Sequence, residues 1–288
     1  MAERPDVHEA LIGVAGDLPA LPAVVAEVLR VTEDPMSSTS DVSRIVQSDP
    51  AMTAKVLRVS NSSYYGMKQY VGTLKLALVI LGVRQVRNIV LGISVFETLN
   101  GHSDDVRIAQ DIWNRSLHTA GICKKLCEAL GLAFQGEEFI AGLLSDIGIM
   151  GLLRKDPGNY RSTYESLGDN LELLRQAEQA QFKFTHAQVA EAMAAQWNLP
   201  QTLTDALGMQ YPREGQSLAN ARDPKLAAVL RIARALNSRQ EGGIEAALEE
   251  EEAWAALDGA RNPVTREERP GLLASVQDEV NALPAMSL

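Results

Sequence analysis

The sequence predicts an all-α fold, and three observations carry that expectation. Ala and Leu dominate a hydrophobic fraction of 46%, while aromatics reach only 5%; straight-chain residues lose little rotamer freedom in a helix. Apolar residues recur at helical spacing along most of the chain. No run alternates apolar and polar residues between turn signals, so no strand is expected. The 288 residues suffice for one large domain or two smaller ones.

Taken in order, Pro22 opens a helix in which Val24, Val28 and Val31 share a face, with proline where a first turn tolerates it. Ser40-Asp41 starts a second helix through Val46. Asp49-Pro50 reads as an N-cap followed by proline at the first helical position, and that helix ends near Asn61-Ser62. Tyr64-Tyr65-Gly66 forms a loop. One helix follows from Thr73 to Leu81 and, after Gly82, another from Arg84 to about Thr98. This pair imitates a helix-turn-helix, but Ile89, Val90, Leu91, Ile93, Val95 and Phe96 make its second helix almost wholly apolar. A recognition helix needs a polar outward face, so no nucleic-acid partner is expected.

The polar run Asn100–Asp105 marks a subdomain boundary. Beyond it helices fit 106–130, 136–154, 159–180, 185–196 and 200–210. After a polar stretch from Tyr211 to Pro224, more fit 225–238, 243–257 and 266–282. The expected organisation is an N-terminal helical lobe (1–103), a helical bundle (104–212) and a C-terminal helical extension packed on it (213–288). In the extension Leu226, Val229, Leu230, Ala233 and Leu236 form a stripe, and Leu272, Leu273, Val276, Val280 and Leu283 offer a face for packing in cis or for a homodimer.

Composition excludes several classes. No stretch approaches the ~20 apolar residues of a membrane span, and the start, Met1–Asp6, lacks a signal-peptide layout; a cytoplasmic location without membrane contact is expected. Cys123 and Cys127, one helical turn apart, read as reduced core residues. Trp113 and Trp197 read as core anchors. The net charge of −10 disfavours a general nucleic-acid binder. Yet residues 50–96 contain no Asp or Glu and carry +6, leaving −16 on the remainder. Lys55, Arg58, Lys68, Arg84 and Arg87, with Tyr64 and Tyr65, are therefore the expected protein-contact surface.

Two segments carry a family resemblance. Ile45–Gly66, with its Ser48-Asp49-Pro50 and Arg58-Val59-Ser60-Asn61-Ser62 runs, and Ala77–Gly82 resemble the N-terminal half of the HD-related output domain family, HDOD. Trp113-Asn114-Arg115-Ser116, Ala141–Gly148, Thr185–Ala190 and Trp197-Asn198-Leu199-Pro200 resemble its second half. The resemblance covers about residues 15–212. It implies an all-α fold with a small N-terminal lobe on a bundle related to HD-type metal-dependent phosphohydrolases, and membership among bacterial signalling proteins.

What such a hydrolase needs is a set of His and Asp ligands that hold a divalent metal and acidify a bound water. The resemblance places Arg115 at the first metal histidine, Ser145-Asp146 at the His-Asp pair, and Gly208-Met209-Gln210-Tyr211 where further histidines belong; a later Asp falls near Ala233-Arg234. Asp146 and His186 remain, and His118 lies one turn beyond Arg115. Guanidinium and hydroxyl are poor metal ligands, so neither metal nor other cofactor is expected. The expected function is a non-catalytic signal-transduction module that binds a protein partner. Arg115, His118, Ser145, Asp146, His186 and Gln210 remain as a degenerate pocket: either a self-paired polar core, with Asp146 on Arg115, or a site for a nucleotide-like anionic ligand. A residual phosphohydrolase using Asp146 is the remaining alternative.

Overall fold

The computed structural model describes residues 19–34, 36–67, 69–100, 106–238 and 242–283, together with Leu11, Gly13, Val14 and Gly16. The described residues contain helices and no strand. The first lobe comprises α1 (Ala23–Glu33), α2 (Thr39–Gln47), α3 (Pro50–Ser60), α4 (Leu74–Leu81) and α5 (Val83–Asn100). Its helix starts follow from capping: Ser38 accepts from Asp41 N–H in a capping box, Asp49 from Met52 N–H ahead of Pro50, and Thr73 from Leu76 N–H. Gly82 takes a positive φ of 86°, a conformation open to glycine, and bends α5 by 118° from α4. No single described helix is long and apolar enough to cross a membrane.

The bundle is built on α6 (Val106–Leu130), with α7 (Glu137–Leu143), α8 (Ile147–Lys155), α9 (Asn159–Leu167), α10 (Leu171–Phe182), α11 (His186–Gln196) and α12 (Gln201–Gly208). After a short 3₁₀ turn, Leu218–Asn220, come α13 (Pro224–Leu236), α14 (Gly243–Glu249), α15 (Glu251–Ala256) and α16 (Arg269–Asn281). The C-terminal segment is more than a cladding. Every residue of α13 from Leu226 to Arg234 is buried, and α13 packs against α6, α7 and α12. The face of α16 formed by Leu273, Val276 and Val280 is buried against α6, so this face packs in cis.

Three predicted helices are broken, two of them for reasons that matter below. The 136–154 helix opens into a turn at Leu144-Ser145-Asp146, and the 159–180 helix breaks at Gly168-Asp169-Asn170. Segment 243–257 likewise divides at Glu250. Elsewhere the packing is close. A Cβ on Gly148 would stand 1.8 Å from the His186 carbonyl oxygen, and one on Gly142 2.5 Å from Ala120 Cα; glycine lets α8 meet α11 and α7 meet α6 at backbone distance.

The expected contact surface needs correction. Tyr64, Tyr65 and Arg87 are buried. The Tyr65 ring lies 5.0 Å from that of Phe139, and the Tyr64 carbonyl accepts from Lys124 Nζ at 2.9 Å. Arg87 Nη2 approaches Glu137 Oε1 at 3.9 Å. These side chains join the first lobe to the bundle, because a large aromatic loop buries more apolar area between two helical layers than it would in water. Arg58 and Arg84 are exposed, Lys55 pairs with Glu97, and Lys68 lies outside the described residues.

Candidate functional site

The turn at Ser145-Asp146 places the Asp146 carboxylate in the centre of the bundle, fully buried. Arg115, from the middle of α6, meets it through Nε to Oδ2 at 2.6 Å. Arg234, from α13, meets its other oxygen through Nη2 to Oδ1 at 2.7 Å. Two of the breaks in the predicted helices serve this pair. At the second one, the Gly168 carbonyl accepts from Arg115 Nη1 at 2.9 Å; a carbonyl at a helix end is free to do so. Arg234 Nη1 donates to Ser145 Oγ at 3.2 Å, and Gln210 Nε2 to the Ser145 carbonyl at 3.1 Å.

A second buried set adjoins the first. His186, at the start of α11 behind the Thr185 cap, has its backbone N–H on Glu178 Oε2 at 2.7 Å and its Nδ1 at 2.9 Å from the same oxygen. Tyr160 donates its hydroxyl to Glu178 as well. A carboxylate only accepts, so Nδ1 carries the proton, and in the neutral ring Nε2 is an acceptor. Tyr211 satisfies it. Its hydroxyl accepts from Arg234 Nη2 at 2.5 Å and stands 3.3 Å from His186 Nε2, so one hydroxyl relays a donor from one set to the acceptor of the other. Arg175 covers this junction, its guanidinium 4.2 Å from the Tyr211 ring centre.

The centre is held mainly by charge: Asp146 Oδ1 meets Arg234 as an ion pair without a hydrogen bond, and Arg115 Nη2, Arg234 Nε and Gln210 Oε1 are buried without a hydrogen-bond partner among the described residues. Burial disfavours an ionised Asp146, but Arg115 and Arg234 outweigh it and hold the carboxyl well below the usual carboxylate range. The same attraction keeps Arg115 and Arg234 charged despite burial. Burial, opposed by Arg234, pushes the Tyr211 hydroxyl up. Two guanidiniums, Arg115 and Arg234, thus flank the single Asp146 carboxylate, and Glu178 stands behind His186 as the second buried carboxylate of the centre.

The expected site residues thus divide. Arg115, Ser145, Asp146, His186 and Gln210 come together and are all buried, bonded among themselves and to Arg234, Tyr211 and Glu178; among them Arg115 also borders a cleft. His118 does not join them. Its Nδ1 meets Asn237 Oδ1 and its Nε2 Asn281 Oδ1, each at 2.9 Å. Asn237 donates its amide to the Arg115 carbonyl at 3.1 Å and to Thr119 Oγ1 at 2.8 Å, which fixes its oxygen toward His118. His118 therefore ties α6 to α13 and α16. With Arg115, Asn114, Asn237 and Gln277 it lines a separate cleft of about 570 Å³.

Sequence reasoning missed Glu178, Tyr160 and Tyr211 as partners. No motif marks Glu178, eight residues before His186. Arg234 was within reach, since it stands where the resemblance places a hydrolase Asp. This donor set does not fit a divalent metal. Both Asp146 oxygens face guanidiniums, both His186 nitrogens are engaged, and the described residues contain no group of three His, Cys, Asp or Glu side chains that could hold an ion. Two Arg side chains stand around Asp146 with the two positive charges a divalent ion would bring.

Comparison with known proteins agrees with this fold. An uncharacterized protein of Treponema pallidum (strain Nichols) is 24% identical over 196 residues, 68% of this chain. The chain spans only 38% of that relative's length. Among solved structures, an HDOD domain protein of unknown function from Geobacter sulfurreducens matches with a TM-score of 0.74 at 21% identity, covering 96% of this chain and 99% of that one. A protein suggested to act in signal transduction, from Marinobacter aquaeolei VT8, matches at 0.70 and 20% identity, covering 96% and 64%. The HDOD domain matches residues 18–212, and the chain belongs to the HDOD family.

Proposed function

We propose that this chain is a non-catalytic regulatory module of bacterial signal transduction, acting in the cytoplasm through contacts with a signalling protein, and that its HD-type centre is a structural core. The observation that carries this reading is the double engagement of Asp146 by Arg115 and Arg234. Hydrolysis of a phosphoester at neutral pH needs an activated water and a cation on the phosphoryl oxygens. Here the residues that would supply both are tied to one another and closed off beneath Tyr211. The test is hydrolysis of bis-p-nitrophenyl phosphate and p-nitrophenyl phosphate with added Mn²⁺ or Mg²⁺. The expected result is no turnover above the protein-free rate; turnover that Asp146→Ala abolishes would restore the phosphohydrolase reading.

A second reading, a sensor of a small anionic ligand, is favoured by the cleft beside His118. Its volume falls in the range of small-molecule sites, and among the described residues Asn114, Arg115, His118, Asn237, Gln277 and Asn281 line it with no carboxylate. A thermal-shift series with mononucleotides and cyclic dinucleotides checks it: a ligand that raises Tm in the wild type and fails with His118→Ala supports it. No shift across the series removes it.

A further inference from the structure

With Tyr64, Tyr65 and Arg87 buried, the surface of the first lobe presents a different feature. Among the described residues the exposed large apolar side chains are Met36, Tyr70, Val79, Ile80 and Leu173. Three of these five lie between residues 70 and 80. Val79 is 71% exposed and Tyr70 79%. Helix α4 reads Leu-Lys-Leu-Ala-Leu-Val-Ile-Leu, and its Leu74, Ala77 and Leu78 satisfy the core. Lys75 and Val79 are four apart, and Ile80 follows Val79 on the outward side; Leu76, four before Ile80, is half-buried against the core and forms the inner edge of this strip. The core does not require an apolar residue at the outward position of Val79. A contiguous apolar strip on a surface marks a contact site.

The ends of that strip are basic. Lys75 is exposed on its first turn, and Arg84 is exposed just past Gly82, its nearest ion contact 3.9 Å from Glu137. Arg58 is exposed on α3, which packs against α4. No acidic residue occurs between 50 and 96. A partner here meets aliphatic side chains in the middle and cations at the rim. The chain as a whole is at −10, so an anionic lipid sheet would be repelled by the rest of the molecule. A compact acidic segment lies within the ~8 Å reach of the local charges in physiological salt. A second copy seated α4 on α4 would bring like basic ends into one small interface.

Resting on the protein-contact reading above, we propose that the α4 strip of Leu76, Val79 and Ile80, with Lys75 and Arg84 at its ends, is the docking site for an acidic amphipathic helix of a partner protein. The apolar strip supplies a helix-on-helix contact and the basic rim sets orientation and association rate.

Fluorescence anisotropy with two labelled 16-residue helical peptides tests this, one with Leu on one face and Glu on the other, the second with Lys replacing Glu. The acidic peptide is expected to bind about tenfold or more tightly than the basic one and to weaken as salt rises. Val79→Glu and the pair Lys75→Glu/Arg84→Glu are expected each to weaken it about fivefold or more, with circular dichroism unchanged because these side chains are exposed. Absent or charge-independent binding overturns the proposal. So does binding to phosphatidylcholine/phosphatidylglycerol vesicles that Val79→Glu abolishes, or a dimer in sedimentation that the same change dissolves. Phosphoester turnover would refute the non-catalytic reading and leave this result standing.

Discussion

Asp146 concentrates the energetics of the molecule in one carboxylate. Placing an ion in a bundle core costs several kcal/mol before pairing, and two guanidiniums offset that cost only while both are present. Arg234→Met, similar in volume and without charge, leaves Asp146 with one partner and the Tyr211 hydroxyl with one donor fewer. The expected loss is about 3–5 kcal/mol, read as a lowered urea midpoint. The pH dependence follows from the direction of the Asp146 shift. Burial raises its pKa and the two arginines lower it further than burial raises it, so the folded chain favours the ionised form. That contribution is fully present above the unfolded carboxylate value of ~4 and is lost as pH falls through the folded value. Urea midpoints measured from pH 5 to 2 should fall more steeply in the wild type than in Asp146→Asn. Parallel slopes would place the acid sensitivity elsewhere.

At the scale of elements, most helix positions were legible because caps and apolar spacing are local. Asp49-Pro50 and the Gly82 break behave as read. The turn at Ser145-Asp146 was not legible as a break, since Leu143, Leu144 and Ile147 continue an apolar pattern and the reason for the turn is an arginine thirty-one positions upstream. The buried Tyr64-Tyr65 loop was misread as surface for the same reason: its receiving face, Phe139 and Lys124, lies far along the chain. Of the site, the pairing of Arg115 with Asp146 was legible through the resemblance; its Arg234 and Tyr211 closure depends on α13, beyond the matched residues. Glycine at α8 is a further long-range constraint. Gly148→Ala would drive a Cβ into the His186 carbonyl and separate α8 from α11, at a cost at or above the upper end of the ~1–3 kcal/mol of overpacking. A Tm unchanged within error would show that α11 can shift freely.

For the whole molecule, the first lobe, the bundle and the C-terminal helices share one core, and α13 supplies Arg234, the second guanidinium on Asp146. A fragment ending at residue 212 keeps the matched family segment yet loses Arg234 and the buried face of α13. It is expected to lack a cooperative thermal transition, and a sharp transition near that of the full chain would make the C-terminal helices dispensable. Guanidiniums, in this reading, stand on Asp146 in place of a metal and leave the centre structural. The most direct test of this reading is elemental analysis of protein purified without chelators, paired with Tm in EDTA and in excess Mn²⁺. The account predicts substoichiometric metal and the same Tm in both solutions. About one metal per chain, lost in Asp146→Ala and stabilising the wild type, would contradict it.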